Sequence, residues 1–148
     1  MSNDSHLSIK IFYFLVGISG LIILLSSFEA ILRVKDYEIF LIWAKDNFPL
    51  QTIDDSLFST YVTSELSMYF IKIIIPISIS ITAFFSLNKI RFSKIFIYIW
   101  TVLAIGGFSY TLIELNFKSV FFYSILALYI LLVLFIYFSI GLSRESTR

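Results

Sequence analysis

Four long apolar stretches, parted only by short polar or charged connections, decide what this chain can fold into. They run Ile11–Leu32, Leu66–Leu87, Ile95–Leu115 and Val120–Leu142 within 148 residues. Each holds about 20 residues or more, the length that crosses a ~30 Å hydrocarbon layer at ~1.5 Å per residue. The pattern predicts an all-α integral membrane protein with one domain over residues 1–148. Apolar residues make up 59% of the chain, against about 45–50% in soluble domains, and mean hydropathy is +0.93.

Composition closes several routes. A formal net charge of +1 gives no electrostatic footprint for nucleic acid. There is no cysteine, so disulfides, thiolate catalysis, CxxC redox chemistry and S-palmitoylation are all excluded. His6 is the lone histidine and sits in a polar segment, so no multi-histidine metal site forms. The sequence contains no glycine-rich phosphate loop, GxSxG or HExxH motif. No cofactor is expected. Abundant Ile, Phe and Ser with few Ala, Gly and Pro suit an AT-rich bacterium. The first apolar run is about 22 residues, too long for the ~7–15 of a signal-peptide core, and no A-x-A-like site follows it, so it is expected to remain a span.

Charge distribution suggests an orientation. The 88–94 connection (NKIRFSK) carries Lys89, Arg91 and Lys94 with no acid, and the tail holds Arg144 and Arg148 against Glu145. The 34–65 loop holds Asp36, Glu38, Asp46, Asp54, Asp55 and Glu65 against Lys35 and Lys45. The positive-inside rule then predicts both termini in the cytoplasm and the 34–65 loop outside, in a bacterial cytoplasmic membrane. Arg33, Lys35 and Lys118 pull the other way.

Within that loop, Asp36–Asn47 reads as a short amphipathic helix ending before Pro49. Tyr37, Phe40 and Trp43 would either lie at headgroup level in the interfacial plane or pack over the bundle mouth. Thr52-x-x-Asp55 resembles a capping box, predicting helix from near Ile53 into the second span. Short later connections force antiparallel neighbours, hence an up-down four-transmembrane-helix bundle. No internal repeat is visible.

Small residues mark close helix contacts in lipid. Gly17, Gly20 and Ser27 suggest the packing face of the first span. Trp100, Ala104, Gly107, Thr111 and Glu114 form a stripe on the third, with Gly106 widening its groove. The fourth span is bulky and aromatic, with Ala127 its main small residue. Pro76 removes a backbone donor and frees the carbonyl near Lys72, giving a tolerated kink or a hinge; Ser78, Ser80 and Thr82 stand ready to compensate.

Glu29, Lys72 and Glu114 fall at similar depth in the outer half of the bundle, with Lys72 about 9 Å below the surface. Charges there are costly, so Lys72 is expected to pair with Glu114 or Glu29 unless it snorkels. Glu114 is favoured as it lies on the small-residue stripe, whereas Glu29 points away from Gly17 and Gly20 and has Arg33 one turn on. Tyr69 and Tyr110 would add hydroxyls. Three functions remain open. The first is a non-enzymatic accessory, scaffold or immunity-type subunit packing against a larger membrane partner. The second is an oligomeric channel or small transporter lined by Lys72, Glu114 and Pro76. The third is an enzyme acting on lipid headgroups. Expected partners are the lipid bilayer and another membrane protein or a second copy.

Overall fold

The computed structural model describes residues 9–88, 94–114 and 119–145. The 89–93 connection, the 115–118 turn, His6 and Arg148 lie outside the described residues. Five helices follow in order: α1 (Ile9–Lys35), α2 (Tyr37–Asn47), α3 (Asp55–Asn88), α4 (Lys94–Ile113) and α5 (Val120–Glu145). All but α2 are long and apolar enough to cross a membrane. In the bundle, α1 and α4 each pack on α3 and α5. The four long helices therefore form a square, with α1 and α4 on one diagonal and α3 and α5 on the other.

Local chemistry places the helix ends. Arg33 and Lys35 sit in the last turn of α1, where cations suit the carbonyl-rich terminus. Only Asp36 separates α1 from α2. Its extended backbone lets the side chain accept from the N–H groups of Glu38 and Ile39, which fixes a tight elbow. Pro49 lies just past the end of α2 and cannot continue it. The cap of α3 is Asp54 rather than Thr52: Asp54 Oδ1 accepts from Leu57 N at 2.9 Å and from the Ser56 hydroxyl at 3.1 Å. A carboxylate also answers the positive helix end, which a threonine hydroxyl does not. These two donors hold the Asp54 carboxyl below its ordinary range. The cap is therefore intact at neutral pH and lost as pH falls through that lowered value.

Helix α3 has 34 residues and is about 51 Å long, well beyond a ~30 Å hydrocarbon layer. Its first three turns stand beyond the apolar segment, and α2 packs there. Phe40 and Ala44 of α2 are buried against Leu57 and Tyr61 of α3, with Phe40 and Phe58 edge to face at 5.2 Å and Trp43 5.3 Å from Tyr61. Of the two arrangements open to Tyr37, Phe40 and Trp43, α2 takes the packed one: Phe40 is core, Trp43 is half-buried and Tyr37 is exposed. The aromatic ring stack accounts for this: Phe40 gains more from burial against Tyr61 than from an interface.

The main core joins Leu15, Ile18 and Ile22 of α1 with Ile79 and Ala83 of α3, Trp100 and Ala104 of α4, and Tyr129 and Leu132 of α5. Trp100 Nε1 donates to Thr82 Oγ1 at 2.7 Å, which satisfies the indole in an otherwise apolar layer. Trp100→Phe should lower thermal stability in detergent by about 0.5–1.5 kcal/mol; an unchanged melting curve would show the bond to be without effect. Helix α3 continues unbroken through Pro76, which is buried. Ser78, Ser80 and Thr82 return their hydroxyls to the carbonyls of Ile74, Pro76 and Ser78.

Three packing expectations are corrected. Gly17 and Gly20 face outward with open space around them; α1 instead buries Leu15, Ile18, Ser19, Ile22, Ser26 and Glu29. Glu29 does point away from the two glycines, but that places the glycines outside. Turning an ionisable carboxyl into lipid costs far more than close packing of two glycines returns. Gly106 likewise meets open space, and Ala127 of α5 is exposed. The inward face of α5 is Phe122, Ile125, Tyr129, Leu132 and Ile136. The stripe Trp100, Ala104, Gly107, Thr111 does face the core.

Candidate polar site in the bundle

Three helices converge on Lys72. Helices α1 and α3 run antiparallel, so Glu29, Ser27 and Arg33 climb as Lys72, Tyr69 and Glu65 descend. Lys72 Nζ donates to Glu29 Oε2 at 2.8 Å and to Glu114 Oε2 at 2.6 Å. The three side chains are only 5%, 4% and 11% exposed. Lys72 thus reaches both helices of the α1–α4 diagonal, which the backbones leave apart. Both sequence candidates for its partner are engaged at once.

One layer nearer the α2 end, Arg33 Nη2 donates to Glu65 Oε1 at 2.9 Å. The spacing that offers Arg33 to Glu29 is not used: Arg33 serves α3 instead, because Glu29 turns inward to Lys72 and the buried Glu65 has no other ion-pair partner among the described residues. The Tyr61 hydroxyl donates to the Arg33 carbonyl at 2.8 Å, adding a second, shorter bond to the one that carbonyl accepts from Asp36 N at 3.3 Å at the end of α1. Tyr69 and Ser27 share a hydroxyl contact of 2.9 Å beside the cluster. Tyr110 makes no hydrogen bond to it among the described residues.

The charges line a small cavity of about 20 Å³, with Ser26, Glu29, Arg33, Glu65, Lys72 and Glu114 among its walls. That holds about one water. Ser26 Oγ lines it with no hydrogen-bond partner among the described residues, and the same is true elsewhere of Ser19 Oγ and Tyr129 Oη. Among the described residues, no group of three metal-ligating acids or histidines is close enough to hold an ion. Chemically, the arrangement compensates buried charge and staples three helices together.

Sequence reasoning missed Glu65 and Arg33 as a buried pair and Ser26 as part of the site. A signal was present: Glu65 lies two turns above Lys72, on the same face of one helix.

No family model, curated protein or solved structure matches the chain.

Proposed function

We propose that this chain is a small, non-enzymatic membrane subunit that uses the α2 end to pack against a larger membrane protein. The reading is carried by the platform of α2 and the first turns of α3, which extends past the apolar part of the bundle. It exposes Leu50 (98%), Ile42 (62%) and Ile53 (53%), with Glu38, Asp46, Asp54 and Asp55 exposed around them. Apolar side chains within an acidic rim suit a partner surface that is apolar at its centre and basic at its edge. Accessory, scaffold and immunity-type roles share this requirement. Both termini in the cytoplasm of a bacterial cell, with the platform outside, belong to the same proposal; the acid-rich 34–65 loop and basic 88–94 connection support it.

A photo-crosslinking residue at Leu50, activated in native membranes, tests the reading. The expected product is one stoichiometric adduct with a larger membrane protein, lost when Glu38→Lys and Ile42→Asp are introduced. Adducts that persist in that variant, or crosslinks between copies of this chain alone, overturn it.

One observation favours the second reading, an oligomeric channel or small transporter: charged groups and three buried hydroxyls occupy the interior of the bundle. Solute or ion flux into liposomes, abolished by Glu114→Gln, would establish it in place of the first.

A further inference from the structure

The wall between α1 and α3 carries a groove of about 400 Å³ on the membrane-facing side, at the α2 end. Ala30, Ile31 and Val34 of α1 form one side and Val62 and Leu66 of α3 the other. The floor is the hydroxyl pair of Ser27 and Tyr69, and Lys35 stands at the mouth.

Ser27 to Lys35 is about 12 Å of helix, so the groove is a short slot along the α1–α3 seam. A helix about 10 Å across would bridge a slot between two packed helices rather than enter it. A polymethylene chain, whose carbons keep ~3.5–4 Å from their neighbours, fits along it. Water is a poor filling, as the lining is almost wholly apolar and its two hydroxyls already face one another. Charge selects the headgroup. Lys35 is exposed and makes no ion pair among the described residues, whereas the neighbouring Arg33 is engaged by Glu65. Asp36 turns its carboxylate into the first turn of α2, so it does not compete for the ammonium.

We infer that this groove binds one anionic phospholipid, with an acyl chain between α1 and α3 and its phosphate on Lys35. The site adjoins the protein-docking platform through Val62 but needs no docked partner, and it does not depend on the orientation of the chain in the membrane. It would keep a lipid at the α1–α3 seam after extraction, next to the buried charge cluster.

The test uses the full chain in mild detergent doped with equal amounts of phosphatidylglycerol and phosphatidylcholine, read by native mass spectrometry. The expected result is one retained lipid, with phosphatidylglycerol favoured about fivefold, as one lysine near the surface provides. Lys35→Gln should abolish the preference while keeping the lipid. Leu66→Trp, at a position already exposed, should fill the groove and abolish retention of both lipids. Equal retention of the two lipids by the native chain, no retention, or retention unaffected by Leu66→Trp would each overturn the inference. So would a disulfide formed in membranes between Leu66→Cys positions of two chains, which would show a second copy in the groove.

Discussion

Replacing Lys72 with alanine is expected to destabilise the bundle by about 3–5 kcal/mol, because it strips two buried carboxylates of the ammonium they share. Glu29 lies on α1 and Glu114 at the end of α4, both within 2.8 Å of Lys72 Nζ. Glu114→Gln should be far milder, about 1 kcal/mol or less, since the Lys72–Glu29 bond survives and the amide still accepts a hydrogen bond. The pair should also be non-additive: Lys72→Ala with Glu114→Gln should be less damaging than the two single losses summed. Replacing all three with apolar side chains of similar size should recover most of the stability, because good apolar packing often equals a buried ion pair. Thermal unfolding in detergent reads each value. Strictly additive losses would mean that Lys72 and Glu114 do not act as a unit.

Gly107→Ala should cost about 1–3 kcal/mol, and Gly107→Val more, through overpacking against Tyr129. A Cβ at Gly107 would come within 2.5 Å of the Tyr129 ring and 2.6 Å of its hydroxyl oxygen, and Tyr129 is fully buried with little room to yield. Gly106→Ala, one residue away, and Gly17→Ala meet open space. These should leave stability unchanged or raise it slightly, since alanine is the better helix former. Tyr129→Leu should make Gly107→Ala tolerable. A Gly107→Ala protein as stable as the native chain would show that α4 and α5 are looser than the structure has them.

These two sites illustrate how far the sequence could be read. Span number, the up-down order and the inward stripe of α4 follow from apolar length, short connections and spacing. Lys72 was traceable to Glu29 and Glu114 because a charge at that depth demands compensation. The packing face of α1 was not, because small residues and a buried carboxyl made opposite demands, and only comparing their magnitudes puts Glu29 inside. Helix from near Ile53 through Glu65 follows from the capping pattern, and α3 does begin at Asp55; what the charge count of the loop hides is that Glu65 turns inward to Arg33. Helical hydrogen bonding does not stop where apolar composition does. The fit of Tyr129 against Gly107 joins two helices, and nothing in either segment alone announces it.

The single-residue elbow at Asp36 has a mechanical consequence. With no slack between the rod that enters the membrane and the short crosspiece above it, the crosspiece cannot swivel by itself. Anything gripping it would set the azimuth of the whole shaft, and turning the shaft would turn the grip.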